Sequence, residues 1–305
     1  MRSAHELLRQ HGFDQVATLD ENHRYGTLLV ERNGRQFFAK VAIGDHGREL
    51  ENELWFCLTL NRAAEMTSDL VVRAPRIEAY GTGWFVCESL VGAPTIVPLD
   101  AQSVAGVAGV AGRLARILVD LDRAFADTPV EKPSIEASDT APVTDLLRRV
   151  DRWSERPIQA GTLSAERLQL AKERIAERAL SLRPRLQHGD FVPWHIYRTG
   201  ENAYVLVDSE HASLLKPRFY DLAYLYSRLW TRLHAPEAAR AVVRSFLTES
   251  SVERSGFLAA FLPILTQRSI GMHADALADA GHNDYLREAQ DLLARCLADD
   301  VEGLT

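Results

Sequence analysis

The chain is poor in cysteine, has no long apolar run and carries no excess of positive charge. Among 305 residues there are three cysteines, Cys57, Cys87 and Cys296. They lie far apart with no C-x-x-C, which excludes a disulfide framework and a zinc ribbon. An odd count of this kind fits a reducing compartment in which each thiol acts as a small apolar residue. Lys and Arg number 35 against 42 Asp and Glu, a formal charge of −7, so the basic face of a nucleic-acid reader is missing. The most apolar run, Ser103 to Leu121, opens with three Val-Ala-Gly triplets and is broken by Arg113 and Arg116. A spanning helix needs about 20 mostly apolar residues, so this run reads as a buried helix whose glycines let a neighbouring backbone come close. Met1 to Gly12 is a short polar helix without the apolar core of a signal peptide. The expectation is a cytoplasmic protein with no membrane and no nucleic acid among its partners. G-x-x-x-x-G-K-[ST], G-x-S-x-G and H-E-x-x-H are all absent, which removes P-loop, serine-hydrolase and zincin chemistry. The ten histidines are scattered, and His273 and His282 read as surface positions.

What is present is an ordinary globular balance, 46 % hydrophobic and 25 % charged. In the first hundred residues, short β-like runs alternate with turns. Tyr25 to Glu31 and Gln36 to Ile43 flank Asn33-Gly34, the dipeptide suited to a tight hairpin. Gly47 to Asn61 has Leu50, Leu54, Cys57 and Leu58 at helical spacing, and Ala74 to Pro94 reads as a further strand pair. Beyond Pro98 the chain turns helical: Gln102 to Ala126, Thr144 to Arg156, Leu163 to Leu182, and everything after Phe219. Asp127 to Pro142 is a loop rich in Pro, Ser and acids, and a β-like island spans Gln187 to Asp208. This predicts an α+β, bilobal molecule, with residues 1–92 as an antiparallel-sheet N-lobe. Residues 93–305 form a larger helical C-lobe holding a loop at 188–195 and a strand end at 208.

Several polar residues ask to be read together. Lys40 lies in the apolar strand Phe37-Phe38-Ala39-Lys40-Val41, on the face opposite its immediate neighbours. Glu51 and Glu53 lie on the next helix, and Glu88 ends an apolar strand before the connector. His188-Gly189-Asp190 precedes Phe191-Val192-Pro193-Trp194-His195, and Asp208 ends Tyr204-Val205-Leu206-Val207. Singly, each has an ordinary structural reading: a snorkelling lysine, a solvated helix face, a turn-capping acid. The order is what phosphoryl transfer from a nucleotide requires. That reaction needs a cation on the donor phosphates, an anion to hold it, a carboxylate beside the attacking hydroxyl, and oxygen ligands for Mg²⁺.

On these residues the sequence resembles the aminoglycoside phosphotransferase and choline kinase-like family, which has a protein-kinase-like fold. The resemblance rests on His188-Gly189-Asp190, on Val205-Leu206-Val207-Asp208, on Asp221-Leu222-Ala223 and on Glu88-Ser89-Leu90-Val91-Gly92. It runs roughly from Tyr25 to Trp230. It implies an ATP-dependent kinase, with GTP as the alternative donor, acting on a small hydroxylated or aminated molecule, as a monomer or homodimer. Asp190 would orient or deprotonate the substrate hydroxyl, and Asp208 would ligate Mg²⁺. Lys40 would contact the α- and β-phosphates, supported by Glu51, with Glu53 as the competing choice. Backbone groups from Glu88 to Leu90 would bind the adenine edge, and His188 and Asp221 would hold the loop to the core.

Two departures stand out. His195 occupies the position of the family's metal-holding asparagine. Mg²⁺ prefers oxygen and imidazole suits softer ions. His195 could act through water, favour Mn²⁺, or leave the metal to Asp208 and Glu210. It could equally mark a pseudokinase that binds nucleotide or a protein partner without turnover. Glu210 shares a strand face with Asp208 if the strand continues, and is otherwise a surface charge. The nucleotide-covering segment Leu19 to Gly26 has one glycine, so Asn22, His23 and Arg24 are candidates for side-chain contacts in place of backbone amides. The acid-rich tail from Gly271 either lines a pocket for a cationic substrate or forms a solvated helix face.

Overall fold

The computed structural model describes residues 4–21, 24–97, 104–127, 142–279 and 283–305. Asn22, His23, His282 and most of the 127–142 loop lie outside these described residues. The chain forms two compact units, residues 1–95 with 195–212, and residues 96–194 with 213–305. A cut at 92/93 would leave 195–212 with the helical lobe. Strand pairing instead gathers that segment into the sheet-bearing unit.

In the first unit, β2 (Tyr25–Arg32) and β3 (Arg35–Ala42) pair antiparallel from Tyr25↔Ala42 to Arg32↔Arg35. Asn33 and Gly34 between them have φ of 55° and 76°, the doubly left-handed turn whose twist matches that of the flanking strands. With β1 (Asp14–Glu21), β5 (Ile77–Gly81) and β6 (Trp84–Glu88) they form a sheet ordered β1-β2-β3-β6-β5. Alternation sends Phe37, Ala39 and Val41 to one face, where they pack with Leu28, Val30 and Val86 and with Leu8 of α1 (Ala4–Gln10). Phe38 and Ala42 take the other face, against Leu50 and Leu54 of α2 (Gly47–Met66). Both faces of the sheet are thus covered, and each face draws on the period-2 pattern. A second, small sheet is ordered β4-β8-β7, from β4 (Val72–Arg73), β7 (Ile196–Arg198) and β8 (Tyr204–Leu206). Val72 and Arg73 run parallel to Tyr204 and Val205.

The second unit is helical: α3 (Val104–Asp127), α4 (Pro142–Gln159), α5 (Ala165–Glu177), α6 (Tyr220–Thr231), α7 (Pro236–Glu249), α8 (Arg254–Ala278), α9 (Asn283–Leu297) and α10 (Val301–Leu304). Here α8 is the central helix. Its residues from Ala260 to His273 are all buried, as expected of a helix with no polar face. His273 is therefore not on the surface: it is 1 % exposed, and neither ring nitrogen has a hydrogen-bond partner. Burial and the charge of Arg167 bring it down to about 4. On α3, Gly109 and Gly112 face open space, so they do not bring a neighbouring backbone close. Close approach occurs instead at Gly271 on α8, where an added Cβ would sit 2.7 Å from the Trp153 ring of α4. No described helix is long and apolar enough to cross a membrane. All three cysteines are buried and unpaired.

Candidate active site

The first unit assembles a charged set around Lys40. Its ammonium donates to both Glu53 carboxylate oxygens at 2.8 and 2.9 Å and to Asp208 Oδ1 at 2.9 Å. Glu53 is 4 % exposed, whereas Glu51 faces solvent. The partner is therefore Glu53, correcting the choice of Glu51. The helix phase gives the reason: Glu53 stands three residues after Leu50 and four before Cys57, within the stripe that meets the sheet. Burial works against the Lys40 charge, but Glu53 and Asp208 outweigh it and hold the ammonium protonated above its usual range. Burial likewise pushes the Glu53 carboxyl up, with Lys40 opposing it.

Asp208 is placed by the β7–β8 hairpin. Pairing runs Ile196↔Leu206, Tyr197↔Val205 and Arg198↔Tyr204, and Val207 N–H donates to the His195 carbonyl. The residue just before β7 is thereby set opposite the chain leaving β8, and His195 Nε2 lies 3.3 Å from Asp208 Oδ2. Asp208 has φ of 65°, a left-handed conformation that Asp tolerates better than most residues. The strand therefore does not continue, and Glu210 does not share a strand face with Asp208. Nor is Glu210 a surface charge. It is 8 % exposed, its carboxylate accepts from Arg24 Nη1 at 2.7 Å, and its carbonyl accepts from Asn52. Among the described residues no three His, Cys, Asp or Glu side chains converge in metal-holding geometry. That donor set, with one well-exposed carboxylate beside an imidazole, fits a Mg²⁺-like ion that takes most of its ligands from phosphate oxygens and water.

At the end of β6, Glu88 is clamped by Arg73 through both guanidinium nitrogens and accepts from the Arg76 backbone N–H at 3.0 Å. Its side chain is thus held by the fold. Leu90 is nearly buried, with its carbonyl accepting from Ala93 N–H.

In the second unit, the Asp221 carboxylate in the first turn of α6 accepts from the His188 and Gly189 backbone N–H groups, each at 2.7 Å. Gln187 and Ser213 exchange backbone hydrogen bonds, and the Gln187 side chain accepts from Asp221 N–H at 3.0 Å. Gly189 has φ of 90°, a conformation that a side chain would strain. The Asp190 N–H donates to His188 Nδ1, and the Tyr224 hydroxyl of α6 donates to the Asp190 side chain. The loop is thus pinned from both sides while Asp190 stays half-buried. Burial raises Asp221 to about 6, opposed by those two amides and by Lys216. Sequence reasoning missed Tyr224 and Lys216; only the helical offset of Tyr224 from Asp221 hinted at the former.

Six acids of the tail are held by arginines and a histidine. Asp275 faces Arg228 at 3.7 Å, Asp279 pairs with Arg232, and Glu288 meets His234 at 2.6 Å. Asp291 and Asp300 meet Arg295, and Asp299 meets Arg178.

The sequence model of the phosphotransferase enzyme family (APH) matches residues 27–258. The chain belongs to that family. The phosphotransferase's described fold agrees, with a five-stranded antiparallel sheet in the N-lobe and a helical C-lobe of the protein-kinase-like type. Among solved structures it is similar to the microcompartment-associated aminopropanol kinase, with 16 % identity, coverage of 99 % of this chain and 98 % of that one, and a TM-score of 0.61. It is similar also to a thermostable mutant of the aminoglycoside phosphotransferase APH(4)-Ia, solved as a ternary complex with ADP and hygromycin B. That match has 12 % identity, 97 % and 98 % coverage, and a TM-score of 0.60. A third is the GDP complex of wild-type aminoglycoside 2'-phosphotransferase-IIIa, with 18 % identity, 97 % and 96 % coverage and a TM-score of 0.56. At these identities the likeness is one of fold. No curated protein sequence matches the phosphotransferase.

Proposed function

We propose that this phosphotransferase moves the γ-phosphoryl group of ATP, or of GTP, to a hydroxyl of a small molecule. The observation that carries the reading is the Lys40–Glu53–Asp208 set, a half-buried cation held between two carboxylates at 2.8–2.9 Å. Such a cation is fixed in place before the donor phosphates arrive, so little reorganisation is needed. Lys40 would bind the α- and β-phosphates, and the backbone from Glu88 to Leu90 the adenine edge. Asp208 would hold Mg²⁺, with His195 beside it; when bound, the ion neutralises charge on the phosphates. Asp190 accepts the proton of the attacking hydroxyl. The new acceptor O–P bond forms as the bond from the bridging oxygen to the γ-phosphorus breaks, and ADP or GDP leaves.

A second reading, a nucleotide-binding pseudokinase, rests on His195 and its contact with Asp208. Thermal unfolding with ATP and GTP, in Mg²⁺ and in Mn²⁺, tests the first half of the proposal. A shift of several degrees with at least one nucleotide supports it, and no shift with either contradicts it. Binding without phosphate transfer to any compound in a broad panel supports the pseudokinase.

A further inference from the structure

The surroundings of Asp190 in the helical unit are cationic. Arg268 of α8 is 4 % exposed. Its guanidinium lies 4.3 Å from the ring centre of Tyr224, the residue bonded to Asp190, and 5.0 Å from that of Trp153. One Nη reaches the Tyr220 hydroxyl at a long 3.5 Å, and Nε is buried with no partner. Among the described residues no carboxylate stands within ion-pair distance of Arg268. The acids nearby are committed: Asp145 to Arg148 and Arg149, and Asp221 to two backbone amides. Lys216 lies buried nearby, its side-chain nitrogen 5.3 Å from the Tyr220 ring centre. Burial, with Arg149 and Arg268 adding, brings Lys216 down to about 7 despite Asp221 and Asp145.

A buried guanidinium without a counter-anion is costly, and the cost is recovered when a ligand supplies the anion. A carboxylate or phosphate matches the planar donor fork of arginine, and the flanking aromatic rings of Trp153 and Tyr224 hold that plane. Gly271 lets Trp153 lie against α8, one turn from Arg268. Of the acids of the C-terminal tail, which would suit a cationic acceptor, Asp275, Asp279, Glu288, Asp291, Asp299 and Asp300 are paired by the arginines and the histidine named above.

We propose that the acceptor is an anionic hydroxylated small molecule, bearing a carboxylate or a phosphate, and that Arg268 receives that group. This rests on the phosphotransferase reading, with Asp190 at the acceptor hydroxyl.

The test separates the two. Thermal unfolding of the full chain, without nucleotide, is measured with D-gluconate, D-glycerate and ribose 5-phosphate, and with ethanolamine and kanamycin. At least one anion is expected to raise Tm by several degrees while the amines leave it unchanged. The carboxylate and phosphate arms show which group is taken. Arg268→Met is expected to abolish the shift, and Arg268→Lys to keep part of it. Because the methionine removes an uncompensated charge, its ligand-free Tm should equal or exceed that of the native chain; a purely structural arginine would give a lower one. For the anion that is phosphorylated, KM in Arg268→Met should rise about tenfold or more with kcat within about threefold. The proposal is overturned if no anion stabilises the native chain, if the shift survives Arg268→Met, or if amines are phosphorylated with a KM indifferent to Arg268. If the anion result holds but neither ATP nor GTP shifts Tm, the phosphotransferase reading is what fails.

Discussion

Replacing Glu53 by Gln removes an anion that offsets the Lys40 charge, leaving Asp208 as the one carboxylate at hydrogen-bond distance among the described residues. Breaking a buried pair from one side costs about 3 kcal/mol. Glu53→Gln is therefore expected to lower the denaturant midpoint clearly and to raise KM for nucleotide. Glu51→Gln, on the exposed side of the same helix, should stay within about 0.5 kcal/mol of native. Equal effects in chemical denaturation would place the pair wrongly. The sequence showed Lys40, Asp190 and Asp208 by their order, but not which glutamate completed them. That answer lay in the phase of Leu50 and Cys57, which a count of neighbouring acids overlooks. At His195 the contact with Asp208 predicts that His195→Asn shifts the ratio of Mg²⁺- to Mn²⁺-supported turnover towards Mg²⁺; an unchanged ratio would deny the imidazole a part in metal choice.

The loop that carries Asp190 depends on a left-handed backbone conformation as well as on the side chains that pin it. Gly189 at φ of 90° cannot take a Cβ without strain of about 1–3 kcal/mol. The two amides bonded to Asp221 tie that strain to the position of Asp190. Gly189→Ala should therefore depress kcat well beyond its effect on nucleotide stabilisation, measured side by side as turnover and as ligand-induced Tm shift. An equal loss of both would mean a general unfolding effect. Elements with strong local signals were legible in the sequence: the Asn33-Gly34 hairpin, α2, and the helices after Phe219. Others carry no such signal. Strand β1, Asp-Gln-Val-Ala-Thr-Leu-Asp-Glu, is a polar edge strand with two register shifts, the composition that edges use to discourage further pairing. Strand β4 is two residues long and finds its parallel partner more than a hundred residues later. The turn at Asp208 ends a strand that alternation alone would carry on to Glu210.

At the scale of the molecule, the buried helix α8 carries both His273 and the Arg268 proposed to receive the acceptor's anionic group. The folded chain holds His273 on α8 neutral, at about 4 against an ordinary 6.5. Below pH 6.5 the unfolded chain takes up this proton and the folded chain does not. Stability should therefore fall between pH 6.5 and 4 and level off below, by about 2–3 kcal/mol from this residue. Urea unfolding at pH 7 and pH 4.5 should show the loss in the native chain and a smaller one in His273→Leu; equal losses would contradict it. The sequence reads His273 as a surface residue because it has no ligand spacing to another histidine. The fold hides it because α8 is packed all round.

Phosphate transfer dependent on Asp190 is the property that most directly tests the proposed kinase. Native chain and Asp190→Asn are each incubated with ATP, Mg²⁺ and a panel of hydroxylated acids, sugar phosphates and amines, and new phosphate monoesters are read by ³¹P NMR. The prediction is a monoester signal with the native chain and a loss of about 10²-fold or more in Asp190→Asn, with the ATP-induced Tm shift retained. Transfer at an undiminished rate in Asp190→Asn, or ATP binding by the native chain with no monoester from any acceptor class, would contradict it.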